Sequence, residues 1–176
     1  THLRALKALF KQEILHYPEH CLGLSYGHHY AQIYYAAREG NPHFWDMFEN
    51  ESRVTQKCIV EKPLFHLTSH RNSDVVPLLS FLAYYGHIQL IEEYKKHLPK
   101  DTDYQHILAW DNHDAFYRAC VRNHRQLTEL FFEQCAPQYR RNLLRGYKKR
   151  PYLVVADTAQ KGHFEIIKLL IQFCEP

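Results

Sequence analysis

The chain has 176 residues, 45% apolar and 23% charged, and 22 basic residues against 19 acidic ones give a net charge of +3. That composition is globular rather than disordered, the charge is too small to point to nucleic acid, and no apolar run reaches the ~18–20 residues of a membrane-spanning helix. Glycine is scarce, with 6 residues at positions 23, 27, 40, 86, 146 and 162, so neither GxGxxG nor GxxxxGK[ST] can be written and phosphate loops of those kinds are excluded.

The first residues carry no signal-peptide pattern. The chain opens at Thr1 without methionine, as an excised piece of a longer protein would. Leu3, Leu6, Phe10 and Ile14 fall at helical spacing before Pro18. They predict a helix or a truncated repeat within residues 1–28.

From residue 29 to 176 a pattern recurs four times, anchored on Gly40, Gly86, Asn123 and Gly162. Seven places before each anchor stands an apolar residue: Ile33, Leu79, Phe116 or Val155. Three before stands a small one: Ala37, Ala83, Cys120 or Ala159. One after stand Asn41, His87, His124 and His163. Four after stand Phe44, Leu90, Leu127 and Ile166, and eight after stand Phe48, Tyr94, Phe131 and Leu170. Positions −7 and −3 share one helix face, as do +4 and +8. Glycine and asparagine tolerate the positive φ that ends a helix. Each unit therefore reads as helix, tight turn, helix. Pro99, Pro137 and Pro176 follow three of the second helices as stops.

The connectors are uneven. Residues 50–74 have room for an extra short helix or a hairpin, and Thr55 to Val60 reads as weakly strand-like. Ser73 and Asp74 read as the start of the first helix of unit two, and Asp111 to Asp114 as that of unit three. Before unit four runs a basic stretch holding Arg140, Arg141, Arg145, Lys148, Lys149 and Arg150 and no acid. Taking these six from the 22 basic residues leaves 16 against 19 acidic, a net of −3, so the positive balance is local. Such a run suits an acidic protein surface or an anionic lipid, with nucleic acid a weaker match. It equally suits a solvated connector pinned by Leu143 and Leu144.

The residues Ala159 to Leu170, with Gly162-His163 at the turn and an aliphatic second helix, resemble the core of an ankyrin repeat. Ala83 to Ile91 with Gly86-His87, and Ala36 to Gly40, repeat the match. The family's Thr-Pro-Leu-His start is missing, Asn123 replaces one glycine, and anchors 46, 37 and 39 residues apart exceed the family's usual ~33. The histidine- and tyrosine-rich units are also similar to ankyrin-type regions in large effectors of intracellular bacteria. The resemblance implies an all-α fold, a short α-solenoid of about four degenerate ankyrin-like repeats with long connectors. It implies binding of another protein rather than catalysis, with no cofactor. It implies an intracellular, cytoplasmic location, which for an effector is the host cytosol.

In such an array the concave face comes from the inner helices. Positions −5, −2 and −1 then offer Tyr35, Arg38 and Glu39; Phe81, Tyr84 and Tyr85; Arg118, Val121 and Arg122; and Asp157, Gln160 and Lys161. The expected partner site centres on Phe81, Tyr84 and Tyr85, flanked by Arg118 and Arg122, with Tyr35, Arg38 and Lys161 beyond. Aromatic residues and arginine dominate interface energy. A connector folded over the three aromatics would instead make them core.

Two other chemistries compete. His16, His20, Cys21, His28 and His29 cluster, and His66 and His70 are four apart, but Pro18 interrupts the first group and no zinc-finger spacing appears. No metal site is expected, and the turn histidines read as structural. A Cys–His hydrolase needs a thiol with an oriented base. Cys120 occupies a core position, Cys135 and Cys174 stand at helix ends, and no catalytic signature surrounds Cys21 or Cys58. The odd count of five without framework spacing fits reduced thiols.

Overall fold

A computed structural model describes residues 27–61, 65–68, 73–100, 102–109, 113–137, 140–145 and 152–173. The expectations for residues 1–26, for Lys148, Lys149 and Arg150, and for Cys174 and Pro176 lie outside these. Among the described residues the chain is mostly helical, with a single two-stranded hairpin.

Four helix pairs carry the repeated pattern: α1 (Gly27–Glu39) with α2 (Phe44–Glu49), α4 (Leu78–Tyr85) with α5 (Ile88–Tyr94), α7 (Asp114–Val121) with α8 (Arg125–Gln134), and α10 (Leu153–Gln160) with α11 (Phe164–Gln172). Between them lie α3 (Arg53–Glu61), the hairpin β1 (Phe65–Thr68) and β2 (Ser73–Val76), α6 (Tyr104–Leu108), and α9 (Arg140–Arg145). The strands are antiparallel, with Phe65 opposite Val76 and Thr68 opposite Ser73.

The turns are built alike. Gly40, Gly86, Asn123 and Gly162 have φ of 64°, 83°, 65° and 75°. The amide of the next residue then reaches back to the carbonyl five places earlier: Asn41 to Ala36 (2.9 Å), His87 to Leu82 (3.1 Å), His124 to Ala119 (2.9 Å) and His163 to Thr158 (3.2 Å). This long return bond is that of a Schellman cap, which satisfies carbonyls that the ended helix leaves open. The +4 and +8 residues of all four units are buried. They are the apolar stripe of each second helix, closing onto its own first helix.

Two local expectations fail for identifiable reasons. Thr55 to Val60 lie in α3, not in a strand. Ser52 caps that helix, its Oγ accepting from the Thr55 amide at 3.2 Å. The Gln56 amide nitrogen donates to the carbonyls of Phe48, Glu49 and Glu51 at 3.1–3.3 Å, tying α3 to the end of α2. Ser73 and Asp74 lie in β2 and do not start a helix. Pro77 has φ −61° and ψ 158° and holds the cap place of α4. A residue before proline avoids the helical region, so the strand runs up to Val76. The start expected for unit three is found: Asp114 opens α7 with His113 at its cap place (φ 67°), while Asp111 and Asn112 lie outside the described residues.

The first helices pack one on the next, α1 on α4, α4 on α7 and α7 on α10, while α8 packs on α11. The turn histidines lock these contacts. His87 Nε2 donates to the Arg38 carbonyl at 2.7 Å, His124 Nε2 to Tyr84 at 3.2 Å and His163 Nε2 to Val121 at 3.2 Å. Each acceptor lies two places before the preceding anchor, so one clamp is made three times in one register. A Cβ on Gly40 would stand 2.5 Å from the His87 ring, and one on Gly86 2.6 Å from the His124 ring. At these two positions glycine serves both the turn and the neighbour.

Candidate partner-binding surface

The clamps set the ends of successive first helices side by side. Tyr84, at the end of α4, is half-buried, and the exposed Arg122 beyond α7 lays its guanidinium 4.2 Å from the Tyr84 ring centre. Tyr85 stands edge-on to Tyr84 at 5.1 Å and stacks beside His87 at 6.0 Å. Arg38 is half-buried, its Nε 3.9 Å from the more exposed Glu39 carboxylate. Lys161 is exposed after α10. Tyr35 is half-buried, edge-on to Tyr34 at 5.3 Å. The −2 and −1 places thus provide a row with Arg38, Tyr84, Tyr85, Arg122 and Lys161 reaching solvent to differing degrees.

The −5 places do not belong to it. Phe81 is wholly buried, with Phe65 of β1 at 4.9 Å, Tyr34 at 5.2 Å and Tyr85 at 4.9 Å between ring centres. The inserted hairpin covers it, so the expected centre of the site is core. Arg118 is buried too, its Nε donating to Asp114 Oδ2 at 2.5 Å one turn earlier. A buried guanidinium needs that carboxylate, and paired this way it is turned inward. Val121, at −2, is buried as well. Asp157 is half-buried and accepts from the Tyr117 hydroxyl at 2.5 Å, across the contact between α7 and α10. Phe81 and Asp157 thus meet neighbouring elements and Arg118 turns back to a carboxylate of its own helix, partners that helical periodicity within one unit does not reveal.

Of the basic run, Arg140 has its side chain described. It is half-buried, its guanidinium 4.8 Å from the Phe132 ring centre and its Nε donating to the Cys135 carbonyl at 3.3 Å. It fastens α9 to the end of α8. Arg141 and Arg145 lie in α9, and Leu143 there is buried, as a pinned connector requires.

The thiols bear on the catalytic alternative. Cys120 is fully buried, and burial pushes its pKa up to about 12. Burial likewise raises Cys135. Such thiols supply little thiolate at neutral pH. Among the described residues no group of three or more His, Cys, Asp or Glu could hold a metal ion, and no helix is long and apolar enough to cross a membrane. The side chains of the His16–His29 group and of His66 and His70 are outside the described set.

The signal that sequence reasoning missed was the acceptor of the histidine clamp. The histidines stood at a fixed offset, but a backbone carbonyl two places before the anchor has no side-chain signature. No protein-family model matches the sequence, and neither a curated protein nor a solved structure matches it.

Proposed function

We propose that the chain is a protein–protein recognition module: a short α-solenoid of four degenerate ankyrin-like units that docks an acidic segment of a partner protein. The three identical histidine clamps support the solenoid reading, because they repeat one inter-unit geometry across unequal connectors. The observation that carries the function is the row at the ends of the first helices. It holds three cations, Arg38, Arg122 and Lys161, against one acid, Glu39, which pairs with Arg38, and Tyr84 and Tyr85 supply aromatic surface. A positive, aromatic surface attracts and orients an acidic chain, and arginine and tyrosine are the usual anchors of such contacts. The unpaired thiols of Cys58, Cys120 and Cys135 support an intracellular location.

The probe is a fluorescent poly-glutamate peptide followed by polarisation at low salt. The full chain binds it, and affinity falls as salt rises. Arg122→Glu with Lys161→Glu weakens binding by about tenfold or more, equivalent to ~1.4 kcal/mol. Both residues are exposed, so the melting midpoint stays nearly constant. Absence of binding at low salt, or equal binding by the double variant, overturns the acidic-partner reading.

A further inference from the structure

Unit four departs from the others on one side only. Its second helix is buried where the pattern requires, with Ile166 and Leu170 at 0% and 1% exposure. Its first helix is not. Ala37, Ala83 and Cys120 hold the −3 place in units one to three and are fully buried, whereas Ala159 is exposed. At the +9 place, Phe132 of unit three is half-buried and stacks on Phe173 of unit four, ring centres 3.4 Å apart. Exposure alone does not set the +9 and +2 places apart, since Glu49 and Lys95 at +9 and Pro42 and Arg125 at +2 are exposed too; unit four differs in placing Ile171, 57% exposed, and Phe164, 70% exposed, there.

The turn tells the same story. A Cβ on Gly40 or Gly86 would strike the next unit's histidine ring, whereas one on Gly162 meets nothing within 4 Å. Yet Gly162 keeps φ +75°, and Gln160 holds the −2 place whose carbonyl accepts the clamp elsewhere. A terminal unit of a stacked array ordinarily turns a polar face outward. Unit four turns out phenylalanine, isoleucine and alanine.

We propose that this face is a docking site for one further helix–turn–helix unit of the chain's own kind, supplied in the same polypeptide, with a histidine directly after its turn. That histidine seats beside Gly162 and donates to the Gln160 carbonyl, while its helices cover Ala159, Phe164 and Ile171. A second copy of this chain fits less well, because its first described unit carries Asn41 in the histidine place. The site rests on the same stacking as the recognition row, but poly-glutamate binding reads only the row, so either can fail alone.

The test appends a copy of residues 138–176 after Pro176 and follows unfolding and hydrogen exchange. The extended chain unfolds in one transition several degrees above the original, and exchange slows across residues 153–172. His163→Ala made in the appended copy alone removes part of the gain. Phe164→Glu with Ile171→Glu in the original unit leaves the unextended chain's midpoint unchanged and abolishes the gain in the extended one. A separate melting of the appended unit with the host midpoint unmoved overturns the proposal. So does a dimer of the unextended chain that Phe164→Glu with Ile171→Glu dissociates, since the face then belongs to a second copy.

Discussion

Units two and four have the same pattern and opposite surroundings. In α4, residues 78–83 are all buried, because α1, α7, α3 and β1 enclose it. In α10 only Val154 and Thr158 are buried. The offsets in sequence are equivalent, so the difference comes from neighbours rather than from the helix itself. In a stacked architecture a helix's own period fixes the face turned to its hairpin partner. The faces turned to the flanking units depend on what those units bring.

The largest test of this contrast is at −7. Phe116 is wholly buried and Val155 is half-buried at the same offset. Phe116→Ala should cost about 3–5 kcal/mol in denaturant unfolding. Val155→Ala should cost well under half as much, since less area leaves contact and fewer neighbours must collapse onto it. Equal losses would mean that unit four is held as tightly as the middle of the chain.

These same residues show what the sequence could and could not yield. The helix pairs and the four turns were readable, because glycine or asparagine at a helix end and apolar spacing around it are local constraints. All eight residues at +4 and +8 are buried for that reason. Phe81 and Arg118 were misplaced because their environment comes from Phe65, sixteen residues earlier, and from Asp114, a charge whose burial no pattern marked. The helix over residues 53–61 was misread because β-branched residues outweighed the cap at Ser52. Of the −1 and −2 residues expected to face outward, Arg122 and Lys161 are exposed and Arg38, Tyr84 and Tyr85 are half-buried. They lie at the helix ends, where a neighbouring unit's cover stops.

A smaller effect separates the turns. Gly86→Ala and Gly162→Ala each force alanine into the left-handed region, at about 1–2 kcal/mol. At Gly86 the new methyl also meets the His124 ring, so the His124–Tyr84 bond is displaced and about 1 kcal/mol more is lost. Thermal melts of the two variants should therefore differ, with Gly86→Ala the lower. Identical midpoints would show that the ring swings aside freely and that the clamp adds nothing at that contact.

The smallest effect is a pH dependence that arises in the middle of the chain. Burial holds the His124 imidazole below its ordinary pKa, assisted by the nearby Arg122 and His87 and opposed by its bond to the Tyr84 carbonyl. Burial also lowers His113, opposed by its bond to the Leu108 carbonyl. A histidine whose folded pKa lies below its unfolded value takes up protons more readily when unfolded. Its contribution is therefore complete above the unfolded value of ~6.5 and is lost as pH falls through the folded one. The unfolding midpoint should drop between pH 7.5 and pH 5, and His124→Gln, which cannot charge, should flatten part of that drop. A His124→Gln profile parallel to the original would place the sensitivity elsewhere. The residual slope in the variant then measures His113 together with the other histidines and the carboxylates, and His113→Gln added to His124→Gln isolates the His113 share. If neither substitution reduces the slope, the central contacts tolerate a charged imidazole, and the packed middle is less closed to water than the burial of Phe81 and Phe116 implies.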